Sequence, residues 1–464
     1  MGMPSTRWNP GRLAVAALVV ALGFSPARAA DEGARYALRG DLITPGGVVA
    51  NGVLVVAGRL IESVGTAAPE GVRVIDTQGV ISPGLIDLHN HLTWNVFSRW
   101  SAGRKFPNRY EWQQLPEYNM ALAGPHAILI ARGLGPAMAR YGEVKAIAGG
   151  ATALAGLYPD DLGPAFHPPY HGMMRMLDIG SGLHPAGTPE AVEYHVFPLT
   201  LAEPKAAQLR AALKDGSLKC LLIHVGEGSP TDASSRLEFQ ILRARGLLLP
   251  GVTLIHGVAL QREDFAEMAR VGVGLVWSPR SNFELYGATA DVVAARQAGV
   301  RVALAPDWSP TGSDGLIEEL GYAAAWNAAQ AHPPFTDADL VAMATAEPAR
   351  LAGLADRIGA LAPGLAADLL VMARAGADAP AAVVHGGAAG VGLVIIDGRA
   401  VYGRRELAEA VAPGQAWTAL TVAGAPRVLA LPADPGLGDW DALNRRLDAQ
   451  LRSLGARLGP LAAD

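Results

Sequence analysis

The sequence predicts an α/β protein in which a (β/α)8 barrel of the TIM type is joined by a small β-sandwich domain built from both chain ends. Between residues 84 and 355, short apolar runs alternate with helical stretches. This alternation is typical of a parallel α/β architecture, and a block of roughly 270 residues suits an eightfold barrel. Both flanks of the block carry glycine-separated runs rich in valine and isoleucine, which indicate short β-strands.

The central block supplies the elements of the predicted barrel. Apolar strands are predicted at residues 151–157, 220–225, 252–256, 273–277 and 302–305, and helices at 204–213, 234–245 and 288–297. A doubly wound parallel sheet is the alternative arrangement. It has less support, because no Gly-x-Gly-x-x-Gly follows the early strands and the sequence contains no Walker loop.

The two flanks and the C-terminus complete the predicted domain organisation. Residues 30–80 and 360–405 have strands of the same character, so they are expected to form one composite β domain beside the barrel of residues 81–359. Residues 406–464 are expected to form a C-terminal helical extension. Its apolar stripe at helical spacing consists of Leu443, Leu447, Leu451, Leu454 and Leu458.

Residues 1–29 have the layout of a secretory signal peptide. Arg7 and Arg12 precede the apolar run 13–24, and Ala27-Arg28-Ala29 supplies small residues before a cleavage point. This run is shorter than the ~20 residues of a membrane helix, and no other segment is apolar over that length. The sequence therefore predicts a secreted or periplasmic protein without stable membrane insertion, with an uncleaved membrane anchor as the alternative.

The composition excludes several partners and chemistries. Charged residues make up 17% of the chain and the formal net charge is -5, which does not indicate a nucleic-acid-binding protein. Cys220 is the single cysteine, so no intramolecular disulfide can form. Because Cys220 begins an apolar run, it is predicted to be a buried structural thiol rather than a catalytic one.

Histidine and aspartate recur at the ends of the predicted strands. His89 and His91 follow the first strand of the block, and residues two apart on a strand point to the same face. His224, His256 and Asp307 close or follow three further apolar runs. Because barrel active sites lie at the C-terminal ends of the strands, these side chains are predicted to converge on one site.

This set of side chains indicates metal chemistry. Imidazoles together with one carboxylate suit one divalent ion, zinc in the first place and iron(II) as the alternative. Such a set leaves a coordination position for water, whose pKa falls on the metal so that hydroxide can act as the nucleophile. A carboxylate outside the ligand set must then move protons, and Glu227, between Gly226 and Gly228, is the candidate.

The order of these motifs resembles that of the amidohydrolase superfamily. The motifs are Gly84-Leu85-Ile86-Asp87-Leu88-His89-Asn90-His91, His224-x-x-Glu227, His256-Gly257, Ser278-Pro279-Arg280-Ser281-Asn282 and Asp307. They are most similar to the branch that holds guanine and cytosine deaminases and the triazine and chloro-hydrolases. The resemblance covers nearly the whole chain after the signal peptide, and it implies the barrel, the composite β domain and a metal-dependent hydrolase.

The resemblance also implies a role for each residue. The metal ligands would be His89, His91, His224 and Asp307. Glu227 would be the proton shuttle, His256 would hydrogen-bond the nucleophile or the substrate oxygen, and Asp307 would double as a base. Ser281 and Asn282 fall where the family approaches its substrate, with a turn-forming role as the alternative. Trp94 and Trp308 are further candidate substrate contacts.

Two features set this chain apart within the superfamily. Residues 305–310 read Ala-Pro-Asp-Trp-Ser-Pro rather than the small-residue run common in the deaminases, and a secretion signal is unusual for enzymes that salvage intracellular bases.

Other branches of the superfamily bridge two ions with a carbamylated lysine. Lys145 and Lys219 are the candidates here, but neither lies at a strand end well upstream of both His224 and His256, so one ion is predicted.

An aromatic-rich insertion, Trp94–Met120, follows the first metal-binding strand. Loops at this end of a barrel lie over the active site, so we predict that the insertion is a substrate lid. The alternative is that its aromatic side chains only pack the loop against the body of the protein.

The predicted function is hydrolysis of a carbon–nitrogen bond, other than a peptide bond, in a small organic molecule. An amide, a carbamate or urea, or a cyclic imide would fit. Deamination of a nucleobase-like heterocycle is the alternative, and a non-catalytic periplasmic binding protein on the same scaffold is less favoured, because every expected ligand and Glu227 are present. The expected partner is a small-molecule substrate and not nucleic acid, and a homo-oligomer is left open.

Overall fold

The computed structural model describes residues 35–157, 172–183 and 190–462, so the predicted signal peptide lies outside the described residues. The strands in these ranges, numbered in chain order, are β1 (Arg35–Thr44), β2 (Gly47–Ala57), β3 (Leu60–Gly65), β4 (Arg73–Pro83), β5 (Leu85–Asp87), β6 (Ala151–Leu154), β7 (Arg175–Met176), β8 (Val192–His195), β9 (Cys220–Val225), β10 (Val252–His256), β11 (Gly274–Trp277), β12 (Val302–Leu304), β13 (Leu369–Ala373), β14 (Val391–Ile396), β15 (Arg399–Gly403), β16 (Thr418–Val422) and β17 (Ala425–Leu429).

The helices in the same ranges are α1 (Arg109–Trp112), α2 (Pro116–Tyr118), α3 (Gly124–Ala131), α4 (Gly135–Ala148), α5 (Glu203–Asp215), α6 (Ala233–Ala244), α7 (Arg262–Val271), α8 (Pro279–Tyr286), α9 (Val292–Ala298), α10 (Leu316–Ala328), α11 (Asp337–Ala344), α12 (Ala346–Leu351), α13 (Ala379–His385), α14 (Arg405–Val411) and α15 (Trp440–Ser453). The predicted mixed α/β class is confirmed. Within the described residues, no helix combines the length and apolar character needed to cross a membrane.

Eight short strands of the central block form two parallel sheets. One has the order β5-β6-β7 and the other the order β12-β11-β10-β9-β8. β9 is buried along its whole length, as expected for a parallel strand with both faces covered. A bridge between Asn90 and Asp307 connects the two sheets at the exits of β5 and β12, where the Asp307 amide donates to the His89 carbonyl over 3.1 Å.

Helices follow the strands of the five-stranded sheet and begin at recognisable caps. The Asp232 side chain accepts from the Ser235 amide at the start of α6. Gln261 and Asp264 form a capping box at the start of α7, and Gly272 ends that helix in the left-handed conformation at φ 78°. These local signals terminate each helix near the sheet, so the following strand begins at the same side of the molecule each time.

The two chain ends form one nine-stranded sheet with the order β16-β17-β15-β14-β13-β4-β1-β2-β3. β4 makes the junction, because it pairs in parallel with β1 and antiparallel with β13. The two groups of strands therefore join through β4 in one hydrogen-bonded sheet, and a bridge between Leu60 and Ala366 brings β3 against the segment that precedes β13. The predicted β-sandwich stays a prediction. Tyr36, Leu54 and Ile395 belong to the apolar cluster on one face of this sheet.

The C-terminal segment differs from the expected helical extension. β16 and β17 form a hairpin around Ala423 and Gly424, both in the left-handed conformation, and β17 adds to the edge of the sheet at β15. α15 follows and buries Trp440, Leu443, Leu447 and Leu451. The helix ends at Ser453, so the predicted apolar stripe does not continue in helical form to Leu458.

Cys220 lies at the start of β9 with its side chain fully buried. Burial raises the pKa of its thiol to about 12, so the thiolate form is strongly disfavoured. The prediction of a structural cysteine is therefore confirmed.

Candidate active site

Side chains from the exits of four parallel strands meet at one place. His89 and His91 follow β5, His224 lies in β9, His256 ends β10 and Asp307 follows β12. Asp307 Oδ1 lies 3.3 Å from His89 Nε2 and 3.4 Å from His91 Nε2. The His89 and His224 rings approach to 4.8 Å between centroids. The predicted convergence of these residues is thus present in the structure.

The donor atoms fit a divalent ion. Two overlapping groups, His89–His224–His256 and His89–His91–Asp307, each place their ligand atoms within 4.8 Å of one another. Two ligands about 2.1 Å from a tetrahedral ion lie about 3.4 Å apart, which matches the spacings around Asp307. In addition, His89 Nε2 and His224 Nε2 are buried and have no hydrogen-bond partner within the described part of the chain. A buried nitrogen without a partner is costly, and a metal ion would satisfy both atoms.

The other nitrogen of each ring is held by the protein. His89 Nδ1 lies 2.7 Å from Ser278 Oγ, and His224 Nδ1 lies 3.0 Å from the His195 carbonyl oxygen. A proton on Nδ1 that bonds to these oxygens leaves the Nε2 lone pair directed at the site. Such contacts orient metal-binding histidines and fix their tautomer.

Burial sets the charge state of the cluster. It lowers the pKa of His89 and His224 well below the usual value, and that of His91 to about 3. The imidazoles are therefore neutral, which is the form that binds metal. Burial also raises the pKa of Asp307 well above its usual value. A divalent cation beside this carboxyl group would favour its charged, ligating form.

Two residues of the cluster have unusual backbone conformations. His256 and Asp307 lie in the left-handed region, at φ 72° and φ 67°, where side chains other than glycine are uncommon. Gly226, at φ 70°, makes the same turn out of β9 without this strain. Strained non-glycine residues are typical of functional sites. Glycine would relieve the backbone strain, but it would remove the side chain that the site needs.

Glu227 lies beside the cluster and is held by three groups. Its Oε1 accepts a hydrogen bond from Tyr286 Oη over 2.7 Å. Its Oε2 accepts one from Arg109 Nη1 over 3.2 Å and lies 3.5 Å from His256 Nε2. The carboxylate is therefore close to the proposed ligands while lying outside both groups of candidate donor atoms.

Arg109, Glu238 and Tyr286 are functional candidates that the sequence interpretation missed. Arg109 is fully buried and lies 3.3 Å from Glu238, whose other oxygen accepts from the Gly226 amide over 2.7 Å. Arg109 comes from the aromatic-rich insertion and Glu238 from the middle of α6, with no motif around either residue. Arg109 is one of several charged residues in the insertion, so the sequence offered no signal that singled it out.

The cluster opens into a cavity of about 600 Å³, including the space at its mouth. Its floor contains His91, His224, Glu227, His256 and Asp307, and its walls contain Trp94, Trp112, Gln113, Tyr118, Val196, Phe197 and Trp308. Trp94 is stacked on His126 at 3.8 Å between centroids, and it meets Trp308 edge to face at 5.5 Å. Trp94 and Trp308, the predicted substrate contacts, thus face this cavity.

Ser281 and Asn282 do not lie where substrate contacts were expected. Both are fully buried, and neither is among the described residues that line the cavity. Ser281 Oγ donates to Asp307 Oδ2 over 2.6 Å, and Asn282 Oδ1 lies 2.9 Å from His256 Nδ1. Because both lie on the first turns of α8, behind the strand exits, their side chains orient Asp307 and His256 instead of reaching the substrate space.

The two lysines considered for a second ion have other positions. Lys145 lies in α4, where its ammonium forms a buried ion pair with Asp314 at 2.7 Å and donates to Ser309. Lys219 is exposed and precedes β9, at the opposite end of that strand from His224. The positions of both residues favour the prediction of a single ion.

Residues 218–401 match the amidohydrolase family. The match contains His224, Glu227, His256 and Asp307, whereas His89 and His91 lie before it. The sequence motifs that resembled this superfamily therefore agree with the family match.

Curated relatives are similar in sequence to part of this chain. A 5-methylthioadenosine/S-adenosylhomocysteine deaminase of Desulforudis audaxviator is 35% identical over 203 residues, which are 40% of this chain and 47% of the relative. The chain therefore spans about half the length of that curated relative.

Solved structures share the fold of this protein. An adenosine deaminase of Xanthomonas campestris with bound zinc superposes with a TM-score of 0.66 at 17% identity, covering 92% of this chain and 99% of that one. An atrazine chlorohydrolase of Arthrobacter aurescens complexed with zinc has a TM-score of 0.60 at 19% identity, covering 79% and 95%. At these identities the likeness concerns the fold.

Proposed function

We propose that this protein is a metal-dependent hydrolase that cleaves a carbon–nitrogen bond, other than a peptide bond, in a small organic molecule. The observation that carries the proposal is the convergence of His89, His91, His224 and Asp307 from three strand exits, beside Glu227 and a cavity. The Nε2 atoms of His89 and His224 are buried there and have no hydrogen-bond partner among the described residues. Strained residues and unsatisfied buried nitrogens gathered at one cavity support a functional site that binds an ion.

The residues divide the chemical work between them. A divalent ion held by His89, His91, His224 and Asp307 would supply Lewis acidity and lower the pKa of water. Glu227 takes a proton from the attacking water and delivers it to the leaving nitrogen, so that the amine leaves in neutral form. His256 Nε2 lies 3.5 Å from Glu227 Oε2, and once it is protonated it can donate to the oxyanion that develops when water adds to the sp2 carbon.

Deamination of a heterocycle is the second candidate within this reaction class. The curated relative of Desulforudis audaxviator is named as a deaminase of nucleoside substrates, which supports this reading. The walls of the cavity also favour a flat substrate, because Trp94, Trp112, Tyr118 and Trp308 present ring faces and edges. Release of ammonia from an aryl amine uses the same attacking water and the same proton shuttle.

Further features of the molecule belong to this proposal. The eight parallel strands and the Asn90–Asp307 bridge support an eightfold barrel as the frame of the site. Zinc is the proposed ion, with iron(II) as the alternative, because the solved neighbours contain zinc and the donor set suits both metals. The layout of residues 1–29 supports secretion or a periplasmic location, and self-association stays open.

Two substitutions test the proposal, because they should affect metal content and turnover differently. Glu227→Gln keeps the shape of the side chain and removes its ability to carry a proton, so turnover of amide, carbamate and aryl-amine substrates should fall by ~10²–10⁴-fold. Its metal content should stay at about one ion per chain. His224→Ala should lose both metal and activity, because it removes a ligand. Elemental analysis and a substrate panel measure both properties.

Glu263→Gln serves as the matched control, since Glu263 is exposed on α7. It should retain full metal content and turnover. Wild-type protein that binds no divalent ion, or that binds one and hydrolyses nothing on the panel, would contradict the proposal. If Glu227→Gln lost the ion as completely as His224→Ala, Glu227 would be a ligand and not a shuttle.

A further inference from the structure

We propose that Arg109 is a positioning residue, which holds the carboxylate of Glu227 in the orientation that proton transfer requires. The inference rests on the proposed function, since it concerns the shuttle of that reaction. It assigns a chemical role to the insertion Trp94–Met120, which was predicted only as a lid or as packing.

Arg109 connects two carboxylates inside the protein. Its Nη1 donates to Glu227 Oε2 over 3.2 Å and to the Val196 carbonyl over 2.6 Å. Its Nη2 lies 3.3 Å from Glu238 Oε1, and its guanidinium lies 5.2 Å from the centre of the Phe197 ring. Arg109 has no exposed surface, so these contacts are shielded from water and from salt.

The backbone of the insertion is fastened to the exit of β9 at the same point. Asn108 and Gly228 form an antiparallel bridge, the Arg109 amide donates to the Glu227 carbonyl over 3.3 Å, and the Ser229 amide donates to the Pro107 carbonyl over 2.6 Å. A Cβ atom at Gly228 would lie 2.6 Å from that Pro107 oxygen. Glycine therefore permits the close approach that brings Arg109 beside Glu227.

These contacts restrain both oxygens of the shuttle. Arg109 holds Oε2 and Tyr286 holds Oε1, which leaves Oε2 beside His256. Tyr286 in turn accepts a hydrogen bond from Trp112 of the insertion over 2.9 Å. Because Arg109 is not among the described residues that line the cavity, it acts through Glu227 rather than on the substrate.

The geometry requires a guanidinium. Its separate N–H groups reach Glu227, Glu238 and a carbonyl at once, whereas an ammonium is a point charge on a flexible stem. A carboxylate without this support can rotate away from the reacting atoms, and a displacement of about 1 Å can cost ~10²-fold in rate.

The experiment compares Arg109→Met and Arg109→Lys with Arg104→Met, in the metal-loaded full chain. Arg104 is an exposed arginine of the same insertion and serves as the matched control. We expect kcat to fall by ~10²-fold in Arg109→Met, with little change in KM or metal content. Arg109→Lys should recover part of kcat, and Arg104→Met should behave as the wild type.

A double-mutant cycle with Glu227→Gln separates positioning from a general structural role. If Arg109 acts through Glu227, adding Arg109→Met to Glu227→Gln should cause little further loss of kcat. Multiplied losses in the double variant, or a rise in KM with kcat unchanged, would overturn the inference. Arg109→Met/Glu238→Gln removes opposite charges together and replaces the single variant if that one does not fold.

A crystal structure of the folded Arg109 variant gives a readout that does not depend on turnover. The Glu227 carboxylate should leave its position between Tyr286 and His256. An unmoved carboxylate in the variant would refute the positioning role, even if the wild-type enzyme hydrolyses a substrate. If the carboxylate moves in the variant but the wild type hydrolyses nothing, the proposed function is refuted. The conclusion that Arg109 orients Glu227 would still hold.

Discussion

Individual polar contacts to the Nδ1 atoms fix the orientation of the histidine rings. Ser278 Oγ meets His89 Nδ1, the His195 carbonyl meets His224 Nδ1, and Asn282 meets His256 Nδ1. In each case the contact lies on the ring nitrogen opposite the one that faces the site. The ligand rings are thus oriented before an ion binds, which reduces the ordering that binding would otherwise require.

Ser278 provides a test of this arrangement. Ser278→Ala removes the hydroxyl that meets His89 and leaves every proposed ligand in place, so metal affinity should fall by ~10–100-fold. Competition with a chelator of known affinity measures the change. Ser234→Ala, at an exposed position of α6, is the control and should bind metal as the wild type does. Equal affinity in both variants would show that the Ser278 contact does not orient His89.

At the scale of elements, the insertion after β5 is part of the site. It contributes three cavity-lining rings, Trp94, Trp112 and Tyr118, whereas Trp100 packs behind Trp112 and Tyr118 at 6.4 and 5.7 Å between centroids. One segment therefore provides both a wall of the cavity and the packing behind that wall. The inner rings form a wall of the cavity, and the outer ones hold that wall in place.

Trp112 is the ring through which this element should control selectivity. Trp112→Leu removes a cavity wall, so the ratio of kcat/KM between bulky and small substrates should change by about 10-fold. Metal content should be unaffected. Trp326→Leu is the matched control, because Trp326 packs against Trp277 and does not line the cavity. If both variants kept the wild-type ratio, the insertion would not determine which substrates are accepted.

At the scale of the whole molecule, a buried ion network joins the parallel strands to the nine-stranded sheet. Arg175 of β7 lies 2.6 Å from Asp368, just before β13, and 2.7 Å from Asp397, in the turn between β14 and β15. The same guanidinium donates to the Ser181 carbonyl over 3.0 Å. The strand that carries Arg175 is thereby tied to the sheet formed by the chain ends.

Breaking this network should destabilise the protein as a whole. Arg175→Met leaves the Asp368 carboxylate buried without its partner, so the free energy of unfolding should fall by about 3–5 kcal/mol. Urea unfolding followed by circular dichroism measures the loss. Arg357→Met, which removes an exposed ion pair with Asp356, should cost less than about 1 kcal/mol. Equal losses in the two variants would contradict a special role for the buried network.

The order of motifs along the chain was enough to identify the α/β class and the ligand candidates. Parallel strands end at the same edge of a sheet, so His89, His224, His256 and Asp307, each at the end of an apolar run, had to meet if the strands were parallel. The signal peptide and the ion identity stay predictions, since they depend on residues 1–29 and on a ligand.

Only the tertiary structure decided which partners each of these side chains has. Arg109 and Glu227 are 118 residues apart, and His89 and Ser278 are 189 apart, so no local pattern connects them. The same limit explains why Ser281 and Asn282 were placed at the substrate. Local residue types determine strand ends and candidate chemistry, but contacts between distant segments depend on packing, which the sequence pattern does not contain.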